Sequence, residues 1–318
     1  MAETETPRGW RRWFRPVFVV AVVLAVVLLL WQQRHEVGRS LRDLSPESVV
    51  LSLVFAVVGV WLPGVVWRDL LTSQGHRIGV LPGWRAFFIA QLGKYLPGGV
   101  WTLVAQVAMA RDLKVPAREA AAASFLGLAL SIISSLLLAG VTLPVALPDL
   151  VSTYWWVFAV VPALLVLLHP RVVTWWSGTA FRLLRRPGAG LQLSWKVLLR
   201  STALLLLSWV ALGLHFGILV AQLEGNQEGA SRWTLSLGVF ALAWVAGFLV
   251  IVAPAGAGVR EAALVLGFAS ILPAAAVLAI AVLSRVLLVA ADVLLAGGVA
   301  LAARLAPAAG PPTPDATG

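Results

Sequence analysis

Long apolar runs recur along the chain, at Pro16 to Trp31, Val49 to Trp67, Ala117 to Leu143, Trp155 to Leu168, Ser201 to Gln222 and Ala274 to Ala303. A helix rises about 1.5 Å per residue and a hydrocarbon core is about 30 Å thick, so about 20 apolar residues cross it. Most of these runs are long enough. The pattern predicts an all-α polytopic membrane protein with about six spanning helices.

Two further apolar stretches, 86–110 and 233–271, are interrupted by proline and glycine at Pro97, Gly98 and Gly99 and at Pro254, Gly256 and Gly258. Irregular backbone at membrane depth is tolerated only where protein or water surrounds it. Each limb of 86–110 is about half the length needed to cross. We therefore read both stretches as re-entrant helical hairpins.

The basic residues set the orientation. Arg8, Arg11, Arg12 and Arg15 precede the first run, which no small-residue cleavage site follows, so it reads as a retained first helix. Arg68, Arg77 and Arg85 precede the first hairpin, while Arg111, Lys114 and Arg118 follow it. Both its ends therefore belong on the positive, cytoplasmic face. With that choice the basic loop holding Arg171, Arg182, Arg185, Arg186, Lys196 and Arg200 also falls inside, and the acidic loop 224–232 outside. Each half then reads helix, helix, hairpin, helix from opposite faces, an inverted repeat of the kind transporters use. The repeats span about 16–143 and 153–303, within one membrane domain at 16–305. Residues 1–15 form a basic cytoplasmic amino terminus, 171–186 an interfacial helix, and the proline-rich 306–318 a disordered tail, with both termini cytoplasmic. Whether the longer first limb of the second hairpin crosses is left open by charge alone.

Composition agrees: 60% of the 318 residues are hydrophobic, 12% are charged, and mean hydropathy is +0.92. The net charge of +10 sits at the ends of spans, where it reports orientation and anionic lipid rather than nucleic acid. With no cysteine, thiolate ligands and nucleophiles are excluded, and the four histidines are scattered. No metal site, cofactor or catalytic constellation is expected.

The chemistry is expected where the breaks meet charge: Lys94 before the first, Arg260 and Glu261 after the second. The limbs beginning at Val100 and Val259 direct helix amino termini inward, which favours an anion. Glycines there let a bound group approach the backbone. Phosphate fits. Lys94 either contacts this ligand or reaches back to the cytoplasmic face. Arg260, placed against its own helix dipole, requires a partner, either Glu261 or a phosphate. Arg285 and Asp292, seven residues apart on the last helix, share a face and read equally as an ion pair fixing register or as site residues. His215 lies mid-helix, as a structural histidine or a titrating one.

The runs Gln91-Leu-Gly-Lys-Tyr-Leu-Pro-Gly98 with Trp101, and Pro254-Ala-Gly-Ala-Gly-Val-Arg-Glu-Ala262, resemble the paired signatures of the lysylphosphatidylglycerol synthase transmembrane, or flippase-like, family. Arg285 matches a basic position in that family's last helix. The resemblance implies re-entrant helices and movement of a phosphate-bearing lipid, often aminoacylated phosphatidylglycerol, between leaflets. It also implies a plasma-membrane location and brings Tyr95 into the substrate set with Lys94, Pro97, Gly98, Gly99, Gly256, Gly258, Arg260, Glu261 and Arg285. Asp292 and His215 are kept for coupling or structure. Because the chain stops at Gly318, synthase activity is not expected. The alternative is a membrane subunit or lipid-presenting partner of a lipid-modifying transferase.

Overall fold

The computed structural model describes residues 17, 20, 24, 31, 44–96, 100–148, 160–169, 171–173, 175, 193–223, 230–249 and 258–305. The helices are α1 (Pro46–Thr72), α2 (Val80–Gln91), α3 (Trp101–Asp112), α4 (Ala117–Ala146), α5 (Val160–Leu167), α6 (Trp195–Ala221), α7 (Ala230–Leu249), α8 (Val259–Phe268) and α9 (Ala274–Leu305). Five of them are long and apolar enough to cross a membrane: α1, α4, α6, residues 232–249 of α7, and α9. The chain is thus an all-α, multi-pass membrane protein. Of the first apolar run, Val17, Val20, Leu24 and Trp31 are helical and exposed. Most of the interfacial helix at 171–186, the amino terminus at 1–15 and the tail at 306–318 lie outside the described residues.

The stretch 86–110 resolves into α2 and α3, 12 residues each, with a 3-10 turn at Leu92–Tyr95 ending α2. Each is about 18 Å long, too short to cross alone. In the second stretch α7 has 20 residues and α8 only 10. The first limb here is long enough to cross by length and composition.

The two halves make the same contacts. Exchanging α1 with α6, α2 with α7, α3 with α8 and α4 with α9 turns each strong packing pair among these helices into another. At the centre α1 and α6 run antiparallel, with Ser52 against His215 and Gly59 against Ser208. Corresponding helices that pack antiparallel relate the halves by inversion.

Proline explains one detail of this contact. Pro63 inside α1 has no N–H, so the carbonyl of Gly59, four residues earlier, loses its helical donor. Ser208 Oγ fills the vacancy, donating to Gly59 O at 2.6 Å. The bond requires close approach. A Cβ on Gly59 would stand 2.5 Å from Leu212 Cγ, and one on Gly213 2.7 Å from Leu237 Cα. Small residues let helices meet without a hydrophobic drive from lipid.

Charged ends collect on one side of the bundle. Arg200 at the start of α6 pairs with Asp69 near the end of α1 at 3.1 Å, and His76 meets Glu119 at the start of α4 at 2.5 Å. Trp67 Nε1 donates to Ser124 Oγ, and Trp209 Nε1 to Ser131 O, tying α1 and α6 to α4.

Candidate functional site

The site is organised by α9. This helix runs parallel to α1: Ser284 reaches His215 beside Ser52, Ala291 packs on Ala56 and Val60, and Leu295 and Val299 lie near Trp61. Asp292 is therefore level with the middle of α1. Arg285 is two turns away, about 10.5 Å along the axis.

That spacing prevents Arg285 and Asp292 from pairing with each other, and each pairs outward with a different hairpin. Lys94 Nζ lies 2.7 Å from Asp292 Oδ2 and 3.0 Å from Oδ1, while Tyr95 Oη donates to Oδ2. Arg285 Nη1 lies 3.2 Å from Glu261 Oε1. One face of α9 thus receives both broken segments.

Lys94 neither reaches back to the bundle end nor stands free. Its partner is almost fully buried, the Asp292 side chain being 1% exposed against 31% for Lys94. An unpaired carboxylate there would be costly, so the ammonium and phenol hold it jointly. Asp292 fixes the end of the 3-10 turn where α2 stops.

Glu261 is committed twice. Besides Arg285, it accepts from the backbone N–H of Gly258 at 2.6 Å, closing the amino terminus of its own helix. Gly258 has φ +85°, a conformation that disfavours a Cβ. Among the described residues a Cβ there would meet nothing within 4 Å, so glycine answers backbone conformation rather than crowding. Glu261 is thus not an ion-pair partner of Arg260.

Arg260 is the exception. Its guanidinium lies 4.6 Å from the centroid of the Phe240 ring, in a cation–π contact from α7. It lies in electrostatic range of Tyr95, Arg285 and Glu261. Among the described residues no carboxylate comes within ion-pair distance of it. Lys94, Arg285 and Arg260 face Asp292 and Glu261, so the cluster carries one more positive than negative charge.

His215 lies on the α1 side of this cluster, fully buried. Its Nδ1 lies 2.7 Å from Ser52 Oγ and 3.0 Å from Ser52 O, and its Nε2 lies 2.8 Å from Ser284 Oγ. Ser52 Oγ is also 3.0 Å from His215 O. One neutral tautomer satisfies everything: Nδ1–H donates to Ser52, Ser52 Oγ–H to His215 O, and Ser284 Oγ–H to Nε2. The imidazole joins α1, α6 and α9.

Pro97, Gly98, Gly99 and Gly256 lie outside the described residues. Beside the first break, Val100 gives α3 no side-chain cap. Sequence reasoning missed Phe240, Ser52 and Ser284. Each sits on a helix remote in sequence from its partner, and a lone serine or phenylalanine in an apolar run gives no signal.

No curated protein matched the chain in a sequence comparison. The family described as the lysylphosphatidylglycerol synthase TM region matches residues 18–296, which include all of α1 to α8 and most of α9. With that match over most of its length, the chain belongs to the lysylphosphatidylglycerol synthase transmembrane family.

Proposed function

We propose that the protein moves a phosphate-bearing lipid between leaflets, with the headgroup bound where the two broken segments meet α9 and the acyl chains left in the bilayer. The observation that carries this reading is Arg260, an arginine held against an aromatic face with no described carboxylate within ion-pair distance. An intramembrane cluster with excess positive charge calls for an anion, and a phosphodiester supplies one negative charge. Arg260 is the headgroup counterion. Lys94, Arg285 and Glu261 shape the site through the pairs they already make. The family is one of lipid modification and flipping, which is consistent.

In this reading α2 with α3, and α7 with α8, enter from opposite faces, so that the uncapped start of α3 and the start of α8 both face the midplane. The protein acts as a transporter rather than a synthase, in the plasma membrane with both termini cytoplasmic. Its lipid is an anionic or aminoacylated phospholipid or a polyprenyl phosphate.

The test is reconstitution into vesicles containing fluorescent phosphatidylglycerol, with a membrane-impermeant quencher reporting exchange between leaflets. Wild type should exchange the probe, Arg260→Ala should lose exchange with folding intact, and Arg260→Lys should retain part of it. Normal exchange by Arg260→Ala would overturn the site. Lipid retained by wild type without exchange would favour a lipid-presenting partner of a transferase.

A further inference from the structure

A basic cavity lies away from this cluster, at the charged end of the bundle, where α1 gives way to α2. It has a volume of about 460 Å³ and is lined by Arg68, Thr72, Gly75, His76, Arg77, Ile78 and Gly79. Arg68 is ten residues or so beyond the part of α1 level with Asp292, about 15 Å along the axis. The two sites are separate.

The carbonyls that end α1 are already used: Asp69 O accepts from Ser73 N and Thr72 Oγ1, and Leu70 O from Ser73 Oγ and Gln74 Nε2. Leu71 O accepts from Gln74 N, and Thr72 O from Gly75 N. These four carbonyls at the end of α1 are thus occupied, while the arginine donors of the cavity are largely unspent. Arg68 spends Nε on Ile78 O at 3.1 Å and has only a distant contact, 3.8 Å, from Nη1 to Asp69. The Asp69 carboxylate is drawn instead to Arg200 at 3.1 Å. Arg77 is exposed. His76 gives Nε2 to Glu119, which fixes its ring at the cavity wall.

Arg68 is also held in place, its Cδ lying where a Cβ on Gly83 would come within 3.2 Å of it. A guanidinium anchored by Ile78 O and packed against α2 is pre-organised for a bidentate acceptor. The amino terminus of α2 adds its dipole, since Gly79 supplies no side-chain cap. Cationic side chains beside a positive helix end repel each other until an anion enters.

We propose that this cavity binds a phosphate group, between Arg68, Arg77 and the uncapped start of α2. The shared chemistry is a phosphate mono- or diester, presented by an anionic lipid headgroup of the adjoining leaflet or by a soluble phosphate compound. Because the 73–79 segment leads directly into α2, occupancy stiffens the base of the segment that ends at Lys94 and Tyr95, where it meets Asp292.

The experiment uses the full chain in detergent and follows its thermal midpoint with inorganic pyrophosphate against chloride at equal ionic strength. A second arm uses nanodiscs of phosphatidylglycerol against phosphatidylcholine. Pyrophosphate should raise the midpoint, and Arg77→Gln should weaken its apparent affinity about tenfold, as loss of one charge-assisted contact does. Gly79→Asp should remove the response while keeping or raising the basal midpoint, because its carboxylate caps α2 in place of the ligand. A response confined to phosphatidylglycerol nanodiscs, and lost in both variants, supports the proposal with lipid as the source. Arg260→Ala should leave all these responses intact, so failure of the midplane reading stays separate. Absence of stabilisation in both arms, or wild-type responses from both variants, overturns the proposal.

Discussion

Ser208 Oγ–H donates to a carbonyl that Pro63 has orphaned, and this makes a reciprocal prediction. Ser208→Ala removes the only donor that the described residues give Gly59 O outside its own helix, at a buried contact between α1 and α6. A buried carbonyl left without a partner costs about 1–3 kcal/mol, with more expected where lipid replaces water. Ser208→Ala should therefore destabilise by about 2 kcal/mol, near a thirtyfold shift in the folding equilibrium. Pro63→Ala restores an N–H at the position that addresses Gly59 O, so the double variant should lose much less than Ser208→Ala alone. The assay is a double-mutant cycle on denaturant or thermal unfolding in detergent. The expected coupling is about 1–2 kcal/mol in the direction of rescue. Additive effects, or a Ser208→Ala variant as stable as wild type, would refute the link between proline and serine.

Three further outcomes follow from the same geometry. Lys94→Met should destabilise more than Asp292→Asn, by about 3 kcal/mol against about 1 kcal/mol, because the first strands a carboxylate 1% exposed while the second leaves an ammonium 31% exposed; unfolding midpoints give the order. Gly213→Ala should lose about 1–3 kcal/mol because its Cβ would stand 2.7 Å from Leu237 Cα, whereas Gly298→Ala, with nothing within 4 Å, should be neutral or stabilising by up to about 1 kcal/mol, as measured by melting. His215→Ala should lower stability by about 2–4 kcal/mol through a cavity and the unpartnered Ser52 and Ser284 hydroxyls, while His215→Gln should recover part of it; equal stability of all three proteins would contradict the three-helix link.

Much of the fold was legible in the chain because the bilayer imposes one rule, apolar length, on each spanning helix. The apolar runs beginning at Val49, Ala117, Ser201 and Ala274 correspond to α1, α4, α6 and α9. The glycine and proline breaks marked where α2 and α3 divide, and where α7 gives way to α8. Charge alone left the first limb of the second stretch undecided; at 20 residues α7 is long enough to cross. The Arg285 and Asp292 register was read correctly as one face, but a pairing between them was not available at two turns' separation.

By itself the sequence determined that the chain is a helical membrane protein of two similar halves, and that charge meets broken backbone at Lys94 and at Arg260 with Glu261. Those properties are local, set by residue type and spacing. Only the tertiary structure decided which charges neutralise which: Lys94 and Tyr95 with Asp292, Glu261 with Arg285 and the Gly258 amide, and Arg260 with a phenylalanine face. Ion pairing at membrane depth depends on distances of a few ångströms between helices far apart in the chain. No periodicity within one helix encodes that distance; the packing of α9 against both broken segments does.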